Sequence, residues 1–324
     1  MRILIVLITC LSVSCVQIRE TPTQRESLAN GAANEKRIAL SFDDAPRGQG
    51  PMFSGSERTQ RLIETLRSAE AGPVVFFVTT NGLEKENGFE RIRRYARAGH
   101  LIANHTHNHP WLRDTPAAVY ISNIDQAEAL LEDLPNRRPW FRYPFLDEGR
   151  PLDRRLAVYD ALQQRGLKNG YVTIDNYDWY MEQQWKRAVR DGRTVNLNAL
   201  RGAYVDMLMG AVSFYDQAAR EALGRSPAHI LLLHENDVAA LFVDDLVAAL
   251  RADGWRIISP DEAYDDPINR RQPTTMRTGQ GRIAALAIDA GRDPRTMTHL
   301  AIEENQIDAM LEQRNVFGDT PLKD

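Results

Sequence analysis

Short apolar runs alternate with longer amphipathic stretches along most of this chain, and this alternation restricts the possible folds more than any other feature. Seven runs resemble buried β-strands, at 37–42, 73–79, 100–104, 139–143, 169–174, 228–233 and 255–258. Stretches of helical length lie between most of them, at 56–70, 88–98, 115–134, 152–166 and 237–252. Alternating strands and helices form βαβ units and a parallel sheet. We therefore predict an α/β fold, with the seven strands arranged as a closed or nearly closed barrel.

Two segments depart from this alternation. Residues 180–227 are long, and we predict that they form two helices inserted between the fifth and sixth strands, at the rim where loops shape a substrate groove. After residue 268 the sequence becomes loop-like, and 294–314 has the pattern of a helix that begins near Pro294. We predict a barrel domain over 36–268 and a C-terminal helical extension over 269–324 that packs on it.

The N-terminus has the pattern of an export signal. Arg2 precedes the apolar run ILIVLITCLSV, which has signal-peptide length and is short for a membrane span. We predict a signal peptide over 1–14 and a flexible linker over 15–35. Cleavage after Ser14 and lipid attachment at Cys15, in the lipobox-like stretch LSVSC, both remain open. In either case we expect an exported bacterial protein, periplasmic or anchored in the envelope.

The charge balance argues against two classes of partner. The formal net charge is -4 and the isoelectric point is near 6.0, so no basic surface is expected for nucleic acid or anionic membranes. We predict no nucleic-acid partner, and membrane attachment only through a lipid anchor at Cys15.

Polar residues follow several of the predicted strands. They are Asp43 and Asp44 after the first, His105 after the third, Arg142 after the fourth, Asp175 after the fifth and His234 after the sixth. The carboxyl ends of parallel strands meet on one face of a barrel, where such enzymes place their active sites. We therefore expect these side chains to form one site.

The histidines and aspartates in this group have the pattern of a metal site. His105 and His109 are four residues apart, and on a helical turn this spacing would put both imidazoles on one side. Asp44 would complete a set of two histidines and one carboxylate. That set suits Zn²⁺, and Co²⁺, Ni²⁺ or Fe²⁺ are also compatible with it. Two adjacent carboxylates repel unless positive charge neutralises them, so we expect a metal at one and an arginine at the other, for which Arg142 is a candidate.

These motifs resemble the five signature blocks of the polysaccharide deacetylases with a NodB-homology domain, carbohydrate esterase family four. The blocks, in family order, are Ser41-Phe42-Asp43-Asp44, His105-Thr106-His107-Asn108-His109, Arg142-Tyr143-Pro144-Phe145, Asp175-Asn176-Tyr177-Asp178-Trp179 and Leu232-Leu233-His234. The resemblance implies an irregular (β/α)7 barrel of the NodB-homology type. It differs from the usual pattern at Ser41, where threonine is common, and at Phe145, where tyrosine is common.

The resemblance also implies roles for these positions. Asp44, His105 and His109 would hold the metal. Asp43 would be the general base, oriented by Arg142, and His234 the general acid, oriented by Asp178. The substrate-binding positions would be the backbone N–H near Phe145, for the oxyanion, and Trp179 and Leu232, for the acetyl methyl group.

We predict a metal-dependent hydrolase that removes N- or O-acetyl groups from a cell-wall or extracellular polysaccharide. Two alternatives remain open. One is a deacylase or amidohydrolase of a small amide that is not a sugar. The other is a non-catalytic carbohydrate-binding envelope protein, which would be expected to lack a base, an acid or a metal ligand.

Overall fold

The computed structural model describes residues 35–276 and 279–318 of the chain. The predicted signal peptide 1–14, Cys15 and all of the predicted linker except its last residue lie outside the described residues. From Glu35 onward the chain forms one compact unit. In the described ranges, every helix is too short or too polar to cross a bilayer.

The described residues contain seven strands that pair in parallel to form a curved sheet. They are β1 (Arg37–Ala45), β2 (Val75–Val78), β3 (Leu101–Asn104), β4 (Arg137–Phe141), β5 (Lys168–Asn169), β6 (Ala228–His234) and β7 (Arg256–Ile257). Their order is β5-β4-β3-β2-β1-β6, and β7 also pairs with β1. The predicted α/β barrel class is confirmed. Strands β1, β2, β3 and β6 are buried along almost their whole length, which explains why they appear as mostly apolar runs in the sequence.

The fifth strand differs from its prediction. A strand was expected over 169–174, but β5 covers only Lys168–Asn169, and Ile174 forms an isolated parallel bridge to Leu231 of β6. The intervening chain crosses the barrel interior at Gly170, where an added Cβ would lie 2.6 Å from the Phe77 ring. The segment thus connects the β5 edge of the sheet to the β6 edge, and the barrel is irregular at this point.

Helices surround the sheet. They are α1 (Gly55–Ser68), α2 (Gly88–Arg97), α3 (Ala117–Leu131), α4 (Leu152–Gln164), α5 (Asp178–Arg190), α6 (Leu197–Leu223), α7 (Asp237–Ala252), α8 (Pro260–Tyr264), α9 (Gly281–Asp289) and α10 (Glu304–Gln313). The first begins with a capping box, in which Ser54 and Glu57 satisfy each other's backbone N–H groups. The long segment after the fifth strand contains two helices as predicted, α5 and α6.

The C-terminal segment packs mainly on the inserted helix α6, with which α9 is in contact. It also reaches the carboxyl end of the barrel, because Gly279 N donates to Leu146 O at 3.1 Å and Tyr177 N donates to Ala301 O at 2.7 Å. The predicted helix 294–314 is shorter than expected. Pro294 begins only a single 3₁₀ turn, and α10 starts at Glu304. The predicted domain boundary at 268 stays a prediction.

The strand register places the site. Asp43 at the end of β1 is paired with His234 at the end of β6, and β3 ends at Asn104, directly before His105. These side chains therefore emerge together at the carboxyl end of the sheet, as the sequence predicted.

Candidate active site

Three side chains form a cluster that could hold one metal ion. Asp44 Oδ1 lies 3.6 Å from His105 Nε2 and 3.3 Å from His109 Nε2. All three donor atoms lie within 4.8 Å of one another. Metal–ligand bonds of about 2.0–2.2 Å to nitrogen and oxygen would fit inside this triangle with little movement. The sequence-predicted ligand set is thus brought together in one place.

Both histidines are in the protonation state that binds a metal. His105 Nδ1 lies 2.9 Å from the carbonyl oxygen of Arg142, which can only accept, so Nδ1 donates and Nε2 keeps its lone pair. Burial lowers the pKa values of His105 and His109 to about 4. Both imidazoles are therefore neutral near pH 7, the form that binds a metal.

The histidine pair does not lie on a helical turn, so that part of the prediction is wrong. Residues 105–109 form an irregular loop in which Thr106 and His109 have φ values of 71° and 55°. Side-chain acceptors stabilise the loop: Asn104 Oδ1 accepts from Thr106 N at 2.7 Å, and Thr106 Oγ1 accepts from His109 N at 3.0 Å. These bonds direct His109 toward Asp44 without a helix.

Asp43 lies beside this cluster and is paired with Arg142. Arg142 Nη1 donates to Asp43 Oδ1 at 2.6 Å and to Ser41 Oγ at 2.8 Å, and its Nε donates to Gly170 O at 2.7 Å. The other carboxylate oxygen of Asp43 is 3.7 Å from His105 Nε2. Burial raises the pKa of Asp43 to about 6, although Arg142 favours the charged form. A carboxylate with this pKa can accept a proton near neutral pH.

His234 forms the second paired group. Its Nδ1 lies 2.6 Å from Asp178 Oδ1, and its backbone N–H donates to Asp178 Oδ2 at 2.9 Å. Burial alone lowers the pKa of His234, but the Asp178 carboxylate outweighs burial and raises that pKa above its ordinary value. Because Nδ1 bonds to the carboxylate, Nε2 is the nitrogen left to face a substrate.

A cavity of about 410 Å³ connects these groups. Its wall includes the donor cluster, Asp43 and His234, together with Asp175, Trp111, Phe145, Tyr177, Trp179 and Leu232. Trp111 stacks on Phe145, with ring centroids 4.7 Å apart. Burial raises the pKa of Asp175 to about 8. The three predicted substrate-binding residues, Phe145, Trp179 and Leu232, all lie on this wall.

Comparison with known proteins agrees with this geometry. Residues 30–170 match the sequence model of the family described as polysaccharide deacetylase. This part of the chain is therefore similar to the polysaccharide deacetylases. The matched range includes the three donor residues, Asp43 and Arg142, and it ends before Asp178 and His234. The structure brings His234 to the same cavity, and the buried Asp178 is bonded to it from behind.

Among curated relatives, the chain is similar to a peptidoglycan-N-acetylglucosamine deacetylase of Bacillus cereus, with 29% identity over 151 residues, which are 46% of this chain and 49% of that protein. It is also similar to the peptidoglycan-N-acetylglucosamine deacetylase PgdA of Listeria monocytogenes, with 21% identity over 257 residues, 79% of this chain and 43% of that one. The chain thus spans about half the length, or less, of these relatives.

Among solved structures, a CE4 family pseudoenzyme from Bacillus anthracis matches with a TM-score of 0.50 and 16% identity, covering 72% of this chain and 66% of that one. A mutant of that pseudoenzyme with restored enzymatic activity matches with a TM-score of 0.50 and 19% identity, covering 72% and 69%. At this identity the likeness shows the fold alone, which is the predicted NodB-type barrel.

Sequence reasoning missed three residues that support this site. Tyr264 OH accepts from Arg142 Nη2 at 3.0 Å, Asn236 Nδ2 donates to Asp178 Oδ2 at 3.1 Å, and Arg47 Nη1 lies 3.6 Å from Asp44 Oδ2. Asn236 and Arg47 follow signature blocks closely, so proximity to a motif could have found them. Tyr264 lies far along the chain from every block and had no such signal.

Proposed function

We propose that this chain is a metal-dependent hydrolase that removes acetyl groups from a carbohydrate polymer of the bacterial cell wall. The observation that carries the proposal is that one cavity is lined by a set of three metal donors, by the carboxylate of a carboxylate–arginine pair and by the imidazole of a histidine–aspartate pair. An acetyl transfer to water needs a base, an acid and stabilisation of an oxyanion, and this arrangement offers a group for each.

The donor set fits a divalent metal. Two neutral imidazoles and one carboxylate, with His105 oriented through its second nitrogen, are typical ligands of catalytic zinc. We propose Zn²⁺, held by Asp44, His105 and His109; Co²⁺, Ni²⁺ and Fe²⁺ accept the same ligands. The chemistry that such an ion supplies when bound is polarisation of the acetyl carbonyl and a lower pKa for water.

The proton transfers fall to the two pairs. Asp43 accepts a proton from the attacking water, and Arg142 holds the carboxylate in position through a 2.6 Å bond. His234 then donates a proton to the departing amine or alkoxide, so that acetate and the free sugar group are the products. Asp178 keeps His234 in the tautomer that this transfer requires.

The remaining site residues position the acetyl group. We propose that Trp179 and Leu232 contact its methyl group and that the backbone N–H of Phe145 donates to the oxyanion. Phe145 has φ 57°, in the left-handed region where a side chain normally costs energy. A conformation of this kind is typical of functional sites whose surroundings hold the backbone in place. Because only the N–H acts there, phenylalanine can replace tyrosine.

A glycan substrate is supported by the aromatic wall and by the relatives. The Phe145 side chain is 47% exposed and stacks on Trp111, which gives a flat surface of the kind that sugar rings contact. The matched relatives are named for deacetylation of N-acetylglucosamine in peptidoglycan. We propose the same class of substrate for this chain, reached by export through the N-terminal signal, with or without a lipid anchor at Cys15.

Acetate release from a substrate panel tests the proposal. The panel contains N-acetylated and O-acetylated glycans and small amides, and the protein is stripped by chelator and then reloaded with Zn²⁺ or Co²⁺. We expect release from a glycan only after reloading. Release from the small amides alone would favour the first alternative, and metal binding with no release from any substrate would favour the non-catalytic one.

The Asp43→Asn variant tests the base separately. We expect one equivalent of bound metal, measured by elemental analysis, and a kcat lower by about 10²–10⁴-fold, the usual contribution of a general base. Full turnover in this variant would show that Asp43 is not the base.

A further inference from the structure

A second cavity adjoins the active site on the side of Asp44 and His109. Its volume is about 500 Å³, and it shares Asp44, Arg47 and His109 with the catalytic cavity. Its wall also contains three further cationic side chains, Lys85, Arg91 and Lys186, and one further carboxylate, Glu86. A substrate that enters the catalytic cavity can therefore extend into this one.

The cations on this wall are incompletely neutralised. Arg47 Nη2 and Lys186 Nζ both approach the same oxygen, Glu182 Oε2, at 3.5 and 3.6 Å. Glu182 also accepts from the backbone N–H of Asp237 at 2.9 Å. One carboxylate therefore serves two cations, and neither cation lies at the 2.7–2.9 Å that is usual for a charge-assisted hydrogen bond.

The other carboxylates near this wall do not neutralise the remaining positive charge. Asp44 belongs to the metal donor cluster, and its Oδ2 lies 3.6 Å from Arg47 Nη1. Arg91 is already paired, because its Nη2 donates to the buried Glu235 at 2.9 Å. With Asp44 and Arg91 set aside, the three cations Arg47, Lys85 and Lys186 outnumber by one the two nearby carboxylates, Glu86 on the wall and Glu182 beside Arg47 and Lys186.

The backbone of Arg47 is held by a buried network. Its N–H donates to Glu235 Oε2 at 2.7 Å, and its carbonyl accepts from Arg58 Nη2 at 2.6 Å. Arg58 and Glu235 are completely buried, and Arg58 also donates to Asp237 at 2.9 Å. The backbone that carries the Arg47 side chain is thus fixed before any ligand binds, so binding has to order only the side chain.

From these contacts we infer that the second cavity is a subsite for a carboxylate on the glycan, held by Arg47 with Lys85 and Lys186. A guanidinium matches the planar shape of a carboxylate, and lysines add charge without a strict geometry. Two glycan groups have this chemistry: the lactyl ether of peptidoglycan and the carboxylate of a uronic acid. The inference rests on the proposed function, since it concerns the sugar next to the one that is deacetylated.

Three oligosaccharides of equal length test the inference: an N-acetylated chito-oligosaccharide, the same oligomer oxidised to carboxylates at C6, and a peptide-free peptidoglycan oligosaccharide. We expect the metal-loaded protein to hydrolyse a carboxylated oligomer with a kcat/KM about tenfold or more above that of the neutral one, because a hydrogen bond to a charged group contributes at least that factor. Added salt is expected to reduce the preference.

The double variant Lys85→Gln, Lys186→Gln tests whether these two lysines bind the carboxylate. We expect it to lose most of the preference through a higher KM for carboxylated oligomers, while the neutral oligomer keeps its kcat/KM. Arg47→Gln is expected to lose the preference completely. Lys168→Gln, which removes a lysine that lines neither cavity, is the matched control and should keep the preference.

The outcomes separate the subsite from the catalytic proposal. Preference for only one carboxylated oligomer identifies the source of the carboxylate and supports the subsite. Equal kcat/KM for all three oligomers overturns it. If no oligomer is hydrolysed, the proposed function fails. Calorimetry then tests the subsite by itself. Tighter binding of a carboxylated oligomer than of the neutral one supports the subsite, and equal binding overturns it.

Discussion

Replacing Asp178 with asparagine tests how the general acid is controlled. Asp178 contacts His234 through both carboxylate oxygens, at 2.6 Å to Nδ1 and 2.9 Å to the backbone nitrogen. Asparagine has nearly the same shape and keeps one acceptor oxygen, so the fold is expected to persist. What is lost is the negative charge beside the imidazole.

The size of the effect follows from this contact. A hydrogen bond to a charged partner contributes about 1.5–3 kcal/mol. Asp178 is fully buried and the His234 side chain is only 12% exposed, so solvent screens the pair weakly. Loss of that stabilisation of the protonated imidazole predicts a kcat/KM lower by about 10- to 100-fold near neutral pH.

The pH profile gives the decisive measurement. His234 acts as an acid only while it is protonated, so activity is present below its pKa and is lost as pH rises through it. Asp178 raises that pKa, and its removal lowers it. We therefore expect the alkaline limb of kcat/KM against pH to move to lower pH in Asp178→Asn, with a matching change in the NMR titration of His234.

A second buried pair in the same chain provides the control. Asp216 Oδ1 lies 3.2 Å from His229 Nε2, and both residues lie in the core outside the catalytic cavity. Asp216→Asn is expected to lower the thermal stability and to leave the pH profile unchanged. An alkaline limb that stays in place in Asp178→Asn, even with a lower kcat, would refute the assignment of His234 as the acid controlled by Asp178.

Two further predictions concern the metal and the arginine. His109→Gln is expected to lower metal content and to abolish turnover, whereas His107→Gln, which removes a neighbour bonded to Thr80, should retain both by elemental analysis and acetate assay. Tyr264→Phe removes the acceptor of a 3.0 Å bond from Arg142 and is expected to lower kcat about three- to tenfold with KM unchanged. Tyr215→Phe, which removes a buried hydroxyl that has no partner in the described structure, is its control; equal effects of the two would argue against the role of Tyr264.

The barrel and the central residues of the site could be predicted from the sequence because the signals are local. The apolar run before Asp43 and Asp44 indicates a buried strand, and the position of the two aspartates in that run places their carboxylates near its carboxyl end. The same holds for β6 and His234. Parallel pairing then brings the strand ends together, and the register of Asp43 opposite His234 follows this rule.

The parts that could not be predicted depend on contacts between distant segments. The sequence predicted a continuous fifth strand over 169–174. In the structure Gly170 packs closely against the Phe77 ring, a contact between distant segments that the local sequence does not reveal. Tyr264 supports Arg142 from α8, which lies 122 positions further along the chain. Arg47 follows a signature block closely, but its contact with Glu182 joins it to the predicted insertion, which is distant in the sequence. No pattern within a short window contains this information.

The backbone of the site shows why local propensity fails at the residues that matter most. Asp44, His109 and Phe145 all have φ between 55° and 63°, where residues with a side chain are uncommon. Each costs of the order of 1 kcal/mol or more, so the surrounding structure must hold it. For His109 that support is visible in the bond from its N–H to Thr106 Oγ1. A helical turn at 105–109 would remove the unfavourable positive φ values, but it would not give the loop geometry in which His109 Nε2 lies 3.3 Å from Asp44. The unfavourable backbone conformation of this loop is therefore best explained by the geometry that the donor cluster requires.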